Sequence, residues 1–403
     1  VTAFLTGAPG VLRGHPRSGV REPVLFTLLL TALTATVFLG FVSVAPNRLL
    51  SGRPVPLWVA AGTGYCGALA AIVGPLVPLC FAPPRQRWAV LTVGLAASWL
   101  VATLAALGAA AQALAAGAGP AARVSAGAAF WIMAGCSAFA LADGLRRLRA
   151  GPVAAAAVAL VLGGAIGALA ARGTFATLSV VQEYSSRQAL FAAALTRHIA
   201  LVAGAVGLGL VIGLPLGLGA SRRPRLQGPL FALLNLLQTV PSIALFGLLI
   251  WPLAALARAA PRLAAWGIGG IGPAPAVIAL VLYALLPIVR NTVAGISGVD
   301  PAVVDAARGV GLTRAQIFRR VELPLSLPIL IAGLRIVIVQ TIGLAVVAAL
   351  IGAGGLGTFV FEGLGQDALD LVLLGALPAI ALALAADLGL RAMAALLPQR
   401  ADR

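Results

Sequence analysis

Ten long apolar stretches separated by short polar segments account for most of the chain. A helix needs about 20 apolar residues to cross a hydrocarbon core of roughly 30 Å. The first five stretches run over residues 24–45, 57–82, 88–116, 126–142 and 153–171. The second five run over 199–220, 229–249, 274–296, 325–351 and 369–390. The fourth is short and the seventh is interrupted by Pro241. The first follows Arg13, Arg17 and Arg21 and is too long for a signal-peptide core, so it is expected to be a retained helix. The pattern predicts an all-α, polytopic transmembrane bundle of about ten spans.

Polar segments between the spans set the expected orientation. Of the 28 basic residues, all arginine, 19 fall in alternate segments that include both termini, and eight fall in the others. Arg335 lies within a span. Basic residues accumulate on the cytoplasmic side of membrane proteins, so both termini are expected inside. The last outer loop, 352–368, has no arginine but carries Glu362 and Asp367.

Composition agrees with a membrane location. The chain is 61% hydrophobic and only 10% charged, with a mean hydropathy of +1.05. A soluble domain carries about 25% charged residues. The net charge of +17 does not indicate nucleic acid, because the arginines sit in short clusters between apolar runs. Cys66, Cys80 and Cys136 lie inside apolar runs at spacings that fit no metal or redox motif, and are expected to be packing residues. No catalytic cluster, metal site or cofactor motif is found.

The chain divides near residue 180. Residues 1–181 hold about five Ala/Gly/Leu-rich spans with almost no polar groups, and 182–403 hold about five spans with Asn, Gln, Tyr and Arg at membrane depth. Gln182, Glu183 and Tyr184 fall in the connection.

The inner loop 299–324 is the most informative segment. Asp300 can cap a helix whose first position is Pro301. Val303, Val304, Ala307 and Val310 form an apolar stripe at helical spacing. Gly311 suits a helix end, Thr313 and Gln316 suit a capping box, and Ile317, Phe318 and Val321 give the second helix an apolar face. Pro324 is expected to end that helix. A DNA-reading helix-turn-helix does not fit between two membrane spans.

Asp305-Ala306-Ala307, then Gly311, then Val321-x-Leu323-Pro324 resembles the EAA loop of ABC importer permeases, E-A-A-x(3)-G-x(9)-I-x-L-P. Every spacing fits, with Asp for Glu and Val for Ile. The run 236–242 (LLQTVPS) resembles the proline-broken second core helix of osmoprotectant permeases, and 282–292 is similar to their third. The run 352–357 (GAGGLG) resembles the glycines after their fourth. The likeness to the glycine betaine/choline/carnitine permease group covers roughly 195–390. It implies a type I ABC importer core in a bacterial inner membrane, preceded by a five-helix extension. Partners implied are cytoplasmic ATPase subunits, a second permease (identical or homologous) and an extracytoplasmic binding protein. It also implies a small quaternary-ammonium osmolyte as substrate and an ATPase-coupling role for Asp305, Ala306, Ala307, Gly311, Leu312, Arg314, Leu323 and Pro324.

Other readings are weaker. Gly352, Gly354 and Gly357 match G-x-G-x-x-G, but that fingerprint requires a preceding strand. A Walker A loop requires lysine, and the chain has none, so ATP hydrolysis would belong to a partner. No fused substrate-binding domain is expected, since the chain ends soon after the last span. Asn235, Gln238, Tyr283, Gln340 and Arg335 are polar at membrane depth and either line a translocation path or hold helices together. Arg335 leans toward a structural role. Asp387 and Arg391 are expected to form an ion pair, and His198 to be a satisfied surface residue. A permease for another substrate class, such as amino acids, remains open. An ion-coupled carrier would need acids inside its spans, and an intramembrane enzyme a polar cluster.

Overall fold

Long apolar runs leave the backbone only one way to satisfy its polar groups inside a bilayer, and the chain takes it. The computed structural model describes residues 19–395 apart from 48, 49, 51, 118, 120 and 266. Arg13, His15, Arg17, Arg48, Arg400 and Arg403 lie outside the described residues. Among the described residues, nine helices are long and apolar enough to span a membrane, and α1 (Pro23–Phe38) is a shorter apolar helix.

The first run departs from the expected single helix over 24–45. α1 stops at Phe38, and β1 (Val42–Ala45) follows. β1 pairs with β2 (Arg53–Val55) on one side and, further along, with β3 (Arg123–Ala126) on the other, both antiparallel. Val42, Ser43 and Val44 alternate with period two, and a short apolar run of this kind is ambiguous between helix and strand. Gly40 also passes close to Pro54, where an added Cβ would sit 2.5 Å from the proline Cβ. The bundle is therefore helical with one small sheet at an end.

The second run is broken into α2 (Leu57–Ala60), α3 (Gly62–Val73) and α4 (Leu76–Leu79). Then come α5 (Gln86–Ala116), α6 (Ala128–Arg147) and α7 (Pro152–Ala171). The connection between the halves is itself a helix, α8 (Ser179–Ser186), in which Glu183 is buried.

The second half begins with α9 (Gln188–Arg222) and α10 (Pro224–Thr239). The expected span 229–249 is cut at Val240-Pro241, because proline cannot donate to the ladder and disfavours helix in the residue before it. The long apolar helix is instead α11 (Ser242–Ala259), followed by the short α12 (Pro261–Ala265). α13 (Pro273–Ser297) is the most buried of the candidate spans. α14 (Pro301–Gly309), α15 (Arg314–Ile317), α16 (Leu323–Val347), α17 (Gly357–Gly365) and α18 (Leu369–Ala395) complete the chain.

Apolar packing separates into two main clusters. One gathers Phe41, Leu76, Trp99 and Phe130 of the first half; the other gathers Phe246, Leu280, Val289 and Ala345 of the second. α9 and α13 make the most extensive helix pair. Gly213 and Gly217 of α9 lie against Ile288 and Thr292 of α13, where an added Cβ would come within 2.7 Å and 2.5 Å of side-chain carbons. Small residues at this spacing let helix backbones approach where lipid provides no hydrophobic drive. The last helix, α18, packs on α16 and also on α7 and α8 of the preceding segments.

Candidate functional site

The loop after α13 is held by local chemistry. Asp300 Oδ1 accepts from the Ala302 amide at 2.9 Å, and Pro301 opens α14. Gly311 takes φ +84°, with its amide on the Arg308 carbonyl at 2.9 Å and the Leu312 amide on Ala307 at 3.1 Å. That left-handed turn disfavours a side chain. Thr313 and Gln316 then form a reciprocal capping box, at 2.8 and 3.4 Å. The turn is thus fastened at both sides by its own sequence.

Two expectations change here. The stripe on α14 is not covered by this chain: Ala307 is buried, but Val303 is 43% and Val310 78% exposed. Asp305, Ala306, Gly311 and Arg314 are exposed too, while Leu312 and Leu323 are partly buried. Asp305 Oδ1 meets Arg308 Nη1 at 2.8 Å. Nor does Pro324 end a helix. α15 passes through a π-helical turn, Phe318–Glu322, directly into α16, where Pro324 sits in the first turn. The wider π register relieves the clash and the missing donor that proline would bring to a continuous α-helix. A single rod therefore runs over Arg314–Ile351.

Glu322, buried in that π turn, pairs with Arg222 at the end of α9 through both guanidinium nitrogens, with Nη1 2.7 Å from Oε1. Sequence reasoning passed over Glu322, although a single acid among Arg319, Arg320 and Arg314 was a visible signal.

The polar groups at membrane depth divide into two places. Gln238 Nε2 donates to the Tyr283 carbonyl at 2.8 Å, and the Tyr283 hydroxyl donates to the carbonyl of Val240. These bonds tie the break before Pro241 to α13. Asn235 is on the same helix and accepts from Arg290 Nη2 at 3.5 Å. Arg335 is elsewhere: its Nε is 3.2 Å from Asp387, which also receives Arg391 at 2.8 Å. The ion pair expected of Asp387 and Arg391 is thus a three-residue cluster joining α16 to α18. Gln340 is half-buried on α16.

Beyond α16 the glycine run bends the chain, with φ between +75° and +89° at Gly352, Gly354 and Gly355. It follows helix, not strand, so the dinucleotide pattern lacks its setting. Gly357 packs so closely that an added Cβ would lie 1.9 Å from the Val346 carbonyl oxygen. Arg197 Nε donates to the Ala353 carbonyl at 3.1 Å. His198 is fully buried against Gly355, not on the surface; its cover comes from this distant segment.

At the same end, charges cross between the halves. Arg187 Nη1 lies 2.7 Å from Glu362, and Arg187 and Arg123 both face Glu183, at 3.6 and 3.7 Å. Ser125 donates to Asp370 at 2.9 Å. The hydrogen bond that Arg187 donates to Glu362, with the charges of Glu362 and Glu183, raises the Arg187 pKa above its ordinary value.

Residues 205–403 match the family described as binding-protein-dependent transport system inner membrane component. Residues 18–181 match the N-terminal domain of ABC transporter permease YehY. The osmoprotectant import permease protein OsmW of Salmonella typhimurium is 43% identical over 51% of this chain and 90% of its own length. The carnitine transport permease protein OpuCB of Listeria monocytogenes is 39% identical over 48% and 82%. The choline transport system permease protein OpuBB of Bacillus subtilis is 37% identical over 47% and 80%. A chain of the MetNI methionine ABC transporter, solved facing inward, is 22% identical over 53% of this chain and 98% of that one, with a TM-score of 0.46.

Proposed function

The chain belongs to the binding-protein-dependent inner-membrane permease family of ABC importers, and from that premise we propose that it carries a small quaternary-ammonium osmolyte through residues 182–403. It is a multi-pass inner-membrane permease, not an enzyme, and works with an ATPase and a binding protein. Its assembly comprises two permeases, identical or homologous, and two ATPases on the side of the α14–α15 loop. Both termini are cytoplasmic, and residues 1–181 form an extension to the transport core. Asn235, Gln238, Tyr283 and Gln340 stand along the path; Arg335 secures α16 to α18. The substrate class is supported by relatives named for osmoprotectants, carnitine and choline.

The observation that carries this reading is the exposed, doubly capped turn at Gly311, continuous through a π turn with a membrane-length helix. Such a rod moves as one body, so a push on Asp305, Ala306, Ala307, Leu312 or Arg314 reaches the far end of α16 through Leu323 and Pro324. Val303 and Val310, uncovered here, give an ATPase groove an apolar contact.

The test uses the permease reconstituted with its ATPase and binding protein, measuring ATP-driven uptake of labelled glycine betaine, choline and carnitine. Wild type takes up at least one of them. Gly311→Asp strains a turn at φ +84° by roughly 1 kcal/mol or more, but the added Cβ meets no neighbouring atom within 4 Å. The variant is expected at normal level, with ATPase binding and uptake lost. Uptake by the variant at the wild-type rate overturns the coupling role. Uptake of an amino acid, and of none of the three amines, overturns the substrate class.

A further inference from the structure

We propose that an arginine-lined recess in the first half, at the end of the bundle that carries the α14–α15 loop, binds a phosphate-bearing anion. Its volume is about 610 Å³, and it lies where the start of α1, the start of α5 and the end of α6 converge. Neither the transport path nor the coupling loop reaches it.

Arg85, Arg146, Arg147 and Arg149 line the recess against two acids, Glu22 and Asp143. Both acids are already engaged: Glu22 meets Arg147 at 2.6 Å, and Asp143 meets Arg146 at 2.5 Å and Arg147 as well. Among the described residues, Arg85 and Arg149 have no ion-pair partner, so the recess keeps two uncompensated cations. Arg149 is exposed and sits at φ +50°, a turn position where glycine is the ordinary occupant. The ring of Trp88 lines the same recess, and the Arg87 guanidinium lies over that ring, 4.7 Å from its centroid.

Two unpaired guanidinium forks lining one space suit an oxyanion with several acceptors, and phosphate offers them in the geometry that arginine prefers. The recess is also apolar on one side, through Val24 and Leu79. It lies where apolar helices begin, at the depth of lipid headgroups. Phosphate beside an apolar wall is the chemistry of an anionic phospholipid, and basic pockets at this level hold such headgroups. A soluble phosphate ester shares the headgroup chemistry but not the chains. The turn that holds Arg149 runs on into Ala150 and Pro152, which line a second recess with Arg335 and Arg391. Occupancy is therefore one packing layer from the transport half.

The experiment uses the purified full chain in detergent. Short-chain phosphatidylglycerol, phosphatidylcholine and sn-glycerol 3-phosphate are titrated separately, and binding is followed by thermal shift and native mass spectrometry. Saturable binding of phosphatidylglycerol with none of phosphatidylcholine is expected. Arg85→Gln with Arg149→Gln breaks no ion pair, should leave the unliganded melting temperature unchanged, and should weaken phosphatidylglycerol at least tenfold. Arg149→Gln alone should weaken it a few-fold, and it decides the matter if the double variant melts early. Arg258→Gln with Arg262→Gln, exposed at the other end, should change nothing. Glycerol phosphate binding that the double variant loses to the same degree makes a soluble ester sufficient; phosphatidylglycerol binding alone assigns the site to lipid. Equal binding of phosphatidylcholine, or wild-type affinity in a folded double or single arginine variant, overturns the proposal.

Discussion

Tyr283 does two things for one break in the chain. Its hydroxyl fills the orphan carbonyl of Val240, and its own carbonyl receives Gln238. A helix stopped by proline leaves such carbonyls unpaired, and lipid offers no water to replace the bond. Tyr283→Phe therefore removes a needed donor while keeping the ring. The expected cost is about 1 kcal/mol, read as a lower melting temperature of the purified permease. An unchanged melting temperature would mean that Val240 finds another donor. Asn235, Gln238 and Tyr283 were legible in the sequence because polar groups at membrane depth stand out against apolar runs. Depth along a helix does not say which neighbour is met, so the joining of Arg335 to Asp387 and Arg391 was not legible. His198 was misread for the same reason, since the segment that buries it, around Gly355, is remote in sequence.

At the scale of elements, caps were readable and continuity was not. Asp300, Gly311, Thr313 and Gln316 act within a few residues of themselves, so sequence suffices to place them. Whether Pro324 ends a helix depends on the register of the turn before it, and that register is set with help from Arg222, far upstream. The rod makes a specific prediction. Adding one alanine between Ser326 and Leu327, in the regular helix beyond the π turn, should rotate the α14–α15 loop by about 100° relative to the rest of α16. Membrane insertion should persist, because the run stays apolar, while ATP-driven uptake should fall to background. Uptake at the wild-type rate in this insertion would show that the loop's angle about α16 carries nothing. The apolar runs fixed where most spans lie, but β1 was hidden inside one, because Phe41–Ala45 is as apolar as the helix before it.

For the whole molecule, arginine placement predicts an orientation, and reporter fusions test it. A reporter that fluoresces only in the cytoplasm should be bright at Arg403 and dark near Glu362; the reverse would put the α14–α15 loop on the wrong side for an ATPase. The helical character of the spans was legible, whereas the ties between halves were not: Arg187 to Glu362 and Ser125 to Asp370 join residues that only the folded bundle brings together. The small sheet has a consequence for how the protein is made. β1 and β2 emerge together, but β3 reaches the same side only after the chain has gone in through the fragmented α2–α4 and out again along α5. A nascent chain that fails to thread α2–α4 strands β3 on the opposite face, and β1 stays half-paired. The sheet is therefore a stitch that closes only over a correctly inserted hairpin, since β3 meets β1 only once α2–α4 and α5 have both crossed.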